Sequence, residues 1–121
     1  MTWIPLLVIA ALAAVVWLLK KSVGISTQAA RAHLKNGALV IDVRTPGEFN
    51  SGHLDQAINI PLDEIEAGAP KRLKDKNQAL LLHCASGMRS GMAQRKLTGM
   101  GYTNVFNLGS YGRARKIVGD A

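Results

Sequence analysis

A chain of 121 residues, 48% hydrophobic and 19% charged, has room for one modest domain. Its single cysteine excludes an intramolecular disulfide and a cysteine-based zinc site, and its three histidines lack the paired spacings of metal sites, so neither metal nor cofactor is expected. The net charge of +7 suits anionic partners of several kinds without choosing among them.

The chain opens on an apolar run. From Thr2 to Leu19 no charge interrupts "TWIPLLVIAALAAVVWLL", roughly 27 Å of helix at about 1.5 Å per residue, close to the thickness of a bilayer's hydrocarbon core. Trp3 and Trp17 sit near its two ends, where amphipathic rings favour the interface, and Lys20 and Lys21 follow directly. The alternative is a cleaved signal peptide. No Lys or Arg precedes the run, and cleavage after "AALAA" would leave an exposed apolar start, so a retained transmembrane anchor over 2–19 is expected. The basic pair on its C-terminal side predicts a single-pass membrane protein whose remaining domain lies in the cytoplasm. A short linker, 20–25, would hold that domain, 26–121, close to the bilayer.

The domain alternates helix and strand signals. "STQAARAHLKNG", from Ser26 to Gly37, has a capping Ser or Thr, good helix formers and a glycine stop. "ALVIDV" and "ALLLHC" are apolar runs too continuous for a half-exposed sheet, which predicts strands covered on both faces. Between them "AINIP" predicts a strand ended by Pro61, followed by a brief helix in "LDEIEAG". After the cysteine, "SGMAQRKLTGMG" carries Ala93, Leu97 and Met100 at helical spacing; "TNVFNL" predicts a strand and "SYGRARKIVG" a closing helix. This order implies an α/β domain with a mostly parallel sheet.

Cys84 then falls at the carboxyl end of a buried strand, and the loop after it occupies the crevice where open α/β sheets bind ligands. Ala85, Ser86, Gly87, Met88, Arg89 and Ser90 all retain backbone N–H groups, because no proline lies among them. Gly87 can take the positive φ of a tight curl, which turns successive amides inward as an anion-binding nest. The next helix adds the positive end of its dipole. With Arg89 nearby, these effects predict a depressed thiol pKa and a reactive Cys84 rather than a packing cysteine.

"CASGMRS" resembles the active-site loop of the rhodanese-like sulfurtransferases, and "VIDVRTPGEFNSGHLDQAINIPL", residues 40 to 62, is similar to the family's other signature. The resemblance runs from about Ser26 to about Leu108. It implies a five-stranded parallel sheet with helices on both faces, and a catalytic cysteine that carries sulfur as a persulfide. Asp42, Arg44, Glu48 and His53 match the signature and read as scaffold. Asp55 and Gln56 stand where the family commonly has Pro-Gly, and "GSYGRARKIVGDA" replaces its tryptophan-containing end.

The implied reaction moves a sulfane sulfur from thiosulfate or a persulfide to a thiol or cyanide through Cys84, with the loop amides holding the negative charge. The partners are then a small anionic sulfur donor, a small thiophilic acceptor or an acceptor protein, and the membrane. Nucleic acid ranks lowest, since the basic residues come without an aromatic platform. One alternative is a non-catalytic, membrane-tethered binding module. Another is a cysteine phosphatase, whose pattern has five residues between Cys and Arg; here only Ala85, Ser86, Gly87 and Met88 separate Cys84 from Arg89.

Overall fold

The structure, a computed structural model, describes residues 3–22 and 24–119 and, within them, all side chains but those of 17–22. Thr2 and Val23, from the predicted anchor and linker, and Asp120 and Ala121, at the predicted domain end, lie outside the described residues. Four strands form one parallel sheet: β1 Leu39–Asp42, β2 Ala57–Asn59, β3 Leu80–His83 and β4 Val105–Gly109, in the order β2-β1-β3-β4. In register, Val40 lies beside Ala57 and Leu81, and Asp42 beside Asn59 and His83.

Successive side chains of a strand point to opposite faces, and here both faces are covered. Ile41, Leu80 and Leu82 pack with Ile65 and Ala69 of α4 (Ile65–Arg72) and with Ala93 and Leu97 of α5 (Met88–Gly99). Val40 and Leu81 pack on the other face with Ala30 of α2 (Thr27–Lys35) and with Ala114, Ile117 and Val118 at the end of the chain. This is why "ALVIDV" and "ALLLHC" read as unbroken apolar runs: every residue of β3 is buried. The short α3 spans Pro46–Ser51, and α6, Tyr111–Ala114, continues into a π-helical turn over Arg115–Gly119.

Local chemistry sets the ends of these elements. The Ser26 side chain caps α2 by accepting from Ala29 N at 3.2 Å, and Gly37 takes a φ of 89° just past its end. Ser110 caps α6 in the same way, accepting from Arg113 N at 3.1 Å. The basic closing segment is partly internal. Arg113 Nη1 donates to Leu108 O at 2.7 Å and Nη2 to Ile25 O, while Arg31 donates to the carbonyls of Ile117 and Lys116.

Two differences from the sequence reading follow. The fifth strand implied by the family resemblance is not present among the described residues. Ile25 N donates one hydrogen bond to Asn107 O at 3.1 Å alongside β4, but Ser26 already caps α2, which leaves no length for a ladder. The helix after Cys84 begins at Met88, two residues before the Ser90 start expected, because the loop curls more tightly.

The apolar N-terminal run forms α1, Ile4–Ser22, with its described side chains facing outward; Leu6 is 67% and Ile9 62% exposed. Among the described residues no helix is long and apolar enough to cross a membrane. The predicted anchor reaches Leu19, past Val16, the last side chain described in α1.

Leu81 is fully buried at the centre of the sheet. Leu81→Ala is expected to destabilise the domain by about 2–5 kcal/mol, read as a lower urea midpoint with an unchanged slope.

Candidate functional site

The carboxyl ends of β1 and β3 carry a buried polar platform. Arg44 ties itself to Asp42 through its backbone N–H and guanidinium at 2.7 to 3.0 Å, and its Nη2 also donates to Gly52 O at 2.7 Å. The Arg44 guanidinium lies 4.6 Å over the Tyr111 ring. Asn59 Nδ2 donates to the carbonyls of Asp42 and Arg44, which closes the corner after β1. A buried pair of this kind selects one arrangement of the chain more than it adds stability. His83 is fully buried behind it, with Nε2 unpartnered 3.7 Å from Asp42 Oδ2, and burial pushes its pKa down, so the ring is neutral.

Cys84 follows β3 directly and is itself fully buried. The loop after it is pinned to the start of the last helix: Cys84 N donates to Gly109 O at 3.2 Å, Tyr111 N to Ala85 O at 3.3 Å, and Ser86 bridges Ser110. Gly87 has a φ of 97°, and a Cβ there would lie 3.3 Å from the Gly109 Cα, so both the backbone conformation and the space require glycine. That curl brings Gly87 N–H to Cys84 Sγ at 2.9 Å and Ser90 Oγ to within 3.5 Å.

Burial alone would raise the Cys84 pKa. The Ser90 hydroxyl and the amides of Ser90, Gly87 and Ser86 outweigh it, and the thiol is held below its ordinary value. Ser90 has one proton and three acceptors within reach: Asn107 Oδ1 at 2.7 Å, Gly87 O at 3.1 Å and the sulfur. A hydroxyl rotates to the strongest acceptor, so ionising the sulfur draws this proton toward it.

Of the predicted loop residues, Gly87 and Ser90 meet the sulfur through hydrogen bonds and Ser86 through its amide; Ala85 is exposed, and the Met88 side chain stands 76% exposed at the start of α5. Arg89 is placed differently from the reading that counted it among the groups favouring the thiolate. Its Nη1 and Nη2 donate to Glu48 Oε1 and Oε2 at 2.6 and 3.0 Å. Glu48 is in turn the N3 residue of a capping box: Thr45 N and Oγ1 both donate to its Oε1 at 3.1 Å, and Glu48 N donates to Thr45 Oγ1. The Arg89 hydrogen bonds lead in holding the Glu48 carboxyl down to about 2. Arg89 therefore reaches the loop mouth with its charge already compensated.

Two residues enter the site that the sequence reading left as scaffold or did not single out. Glu48 was legible through the "TPGE" stretch, a Thr–x–x–Glu box with proline at the first helical position, although its partner Arg89 was not. Asn107, on β4, accepts from Ser90 Oγ and from Gly109 N at 2.8 Å, and donates from Nδ2 to Gly87 O at 3.2 Å. One amide thus braces the loop, the helix start and the β4 end, and no sequence spacing signals it. Among the described residues no group of His, Cys, Asp and Glu side chains is placed to hold a metal ion.

The Ser90 hydroxyl is the largest of the groups that favour the ionised sulfur. Ser90→Ala is expected to move the midpoint of Cys84 alkylation to higher pH, because only the ionised form loses a hydrogen bond. An unmoved or lower midpoint would contradict this account of the thiol.

This geometry can be set beside known proteins. The family model described as "Rhodanese-like domain" matches residues 26–112. The chain is 42% identical over 69 residues to thiosulfate sulfurtransferase PspE of Escherichia coli (strain K12), a match covering 57% of this chain and 66% of that protein. It is 35% identical over 79 residues to the thiosulfate:glutathione sulfurtransferase of Saccharomyces cerevisiae, covering 54% of this chain and 55% of that one. A solved structure of a rhodanese with anions from E. coli superposes with a TM-score of 0.61 at 38% identity, over 64% of this chain and 91% of that chain. The chain thus spans between about half and two thirds of the length of these two curated relatives. With the matched family model covering most of the domain and the thiol loop inside it, the chain belongs to the rhodanese-like domain family.

Proposed function

We propose that this protein is a sulfurtransferase of the rhodanese type, carrying sulfane sulfur on Cys84. The observation that carries the reading is the approach of Gly87 N–H and Ser90 Oγ to a thiol held below its ordinary pKa at the mouth of a parallel sheet. The names of the E. coli and yeast relatives, both thiosulfate sulfurtransferases, support the same chemistry.

In the first half-reaction the Cys84 thiolate attacks the outer sulfur of thiosulfate or of a small persulfide. An S–S bond forms to Sγ, the bond inside the donor breaks, and sulfite or a thiolate leaves with the electron pair. The loop amides and the Ser90 hydroxyl then face the persulfide's negative charge, and act before the reaction because the fold has already oriented them. In the second half-reaction a thiol, cyanide or an acceptor protein takes the outer sulfur and returns the thiolate. The sequence holds no second cysteine to resolve the persulfide, so the acceptor comes from outside it.

Arg89 favours this reading over phosphate ester hydrolysis. With both Nη atoms on Glu48 it is not free to clamp phosphoryl oxygens, and the loop between Cys84 and Arg89 is one residue shorter than the phosphatase pattern.

The second part of the proposal is a membrane tether over 2–19, with the domain held near the cytoplasmic face. The charge-free run, the flanking Lys20 and Lys21, and the outward-facing apolar side chains of α1 support it.

Incubation with thiosulfate, followed by intact mass measurement, is expected to add one sulfur atom to the wild-type protein and none to Cys84→Ala. No added sulfur would leave only a binding role, and turnover of an aryl phosphate would replace the sulfur reading. For the tether, the full chain expressed in bacteria is expected in the membrane fraction, released by detergent but not by high salt. Recovery in the soluble fraction would remove that part of the proposal.

A further inference from the structure

We infer that the crevice beside the thiol loop is the acceptor subsite, and that it takes a low-molecular-weight organic thiol bearing an ammonium group, held by Asp63. This rests on the sulfurtransferase reading above and adds to it the chemical class of the acceptor.

The crevice is a cavity of about 320 Å³ at the carboxyl ends of three neighbouring strands. Val43 and Thr45 follow β1, Pro61, Leu62 and Asp63 follow β2, and Arg89 belongs to the turn after β3; Lys96 of α5 closes the far wall. This is where parallel α/β sheets bind ligands, and its volume falls at the small end of organic-ligand pockets. Val43, Pro61 and Leu62 offer an apolar surface that fits a short aliphatic stem and gives little to a compact dianion such as thiosulfate.

The charges around it are unequal in their availability. Arg89 is spent on Glu48 at 2.6 and 3.0 Å, and Lys96 on Glu66 at 3.1 Å. Asp63, exposed in the first turn after Pro61, has no ion-pair partner among the described residues. The uncompensated charge lining the crevice is therefore negative. It complements a cation on the incoming molecule and disfavours an anionic one. The Cys84 persulfide itself is negative, which adds to the preference for a cationic acceptor.

The step is a sulfur transfer without net oxidation. The acceptor thiol loses its proton to solvent, and its thiolate attacks the outer sulfur of the Cys84 persulfide. A new S–S bond forms on the acceptor, the bond to Sγ breaks, and the electron pair returns to Cys84 as thiolate, ready for the next donor.

The test uses thiosulfate-loaded protein and three thiols of similar size: cysteamine (ammonium), 2-mercaptoethanol (neutral) and 3-mercaptopropionate (carboxylate), with rates corrected for thiolate fraction. Cysteamine is expected to show the lowest KM. Asp63→Asn is expected to raise that KM about threefold, the loss of one exposed ion pair, and to leave unchanged the other two thiols, cyanide and the loading by thiosulfate. A purely structural Asp63, favouring the helix start through its charge, would alter thermal stability but not the ranking of the thiols. An Asp63→Asn variant with the wild-type ranking, or a wild-type preference for 3-mercaptopropionate, overturns the assignment. Failure of thiosulfate to load Cys84 is a different result, which removes the sulfurtransferase reading and this inference with it.

Discussion

The hydrogen bond from the Gly87 amide to the Cys84 sulfur, 2.9 Å long, is the contact through which the fold reaches its chemistry. It needs three things at once. β3 must deliver the cysteine at its buried end, residue 87 must have a left-handed backbone, and the chain at Gly109 must approach so closely that no side chain fits between. The first follows from strands covered on both faces. The second and third are met by one glycine. A sulfur so placed loses solvation, which alone would disfavour its charge, and regains more from the Ser90 hydroxyl and the amides of Ser90, Gly87 and Ser86. The balance between those opposing effects makes a buried cysteine reactive rather than inert.

Around that sulfur, the fold compensates charge unevenly. Asp42 and Arg44 satisfy one another beneath the sheet ends, and Glu48 and Arg89 do so at the mouth. Glu48 serves two structures with one carboxylate: it completes the capping box of α3 and receives the guanidinium from the thiol loop. The first turn of α3 and the first turn of α5 are thereby coupled across the crevice. The electrostatics at the sulfur come chiefly from oriented amides and a hydroxyl, groups of fixed direction that do not rearrange as charge develops.

Behind the loop, Asn107 makes a second coupling. Its amide contacts the Gly87 carbonyl, the Ser90 hydroxyl and the Gly109 N–H, so β4 supports both ends of the curl. The register shift between β3 and β4 near His83, where Gly109 comes opposite in place of Leu108, accompanies this bracing. The hydroxyl of Ser90 is left with alternatives at similar distances, which lets it turn between Asn107 and the sulfur as the sulfur's charge changes.

Much of this was legible from residues that act locally. Continuous apolar runs, short caps such as Ser26 and the punctuation of Pro61 and Gly37 specify strands and helices through interactions a few residues long. Four of the strands, the helices on both faces and the placement of Cys84 at a strand end could therefore be read directly. The fifth strand came only from family resemblance, and the early cap at Ser26 leaves no room for it. The α3 helix was written in "TPGE" but passed over. The destination of Arg89, the bracing by Asn107 and the inward turn of Arg113 had no local signal, because each partner lies at least 17 residues away in the chain. The sequence by itself determined which atom reacts and that a curled loop surrounds it. The tertiary structure alone decided which charges remain free beside it, because pairing between distant side chains depends on the packing that brings their elements together.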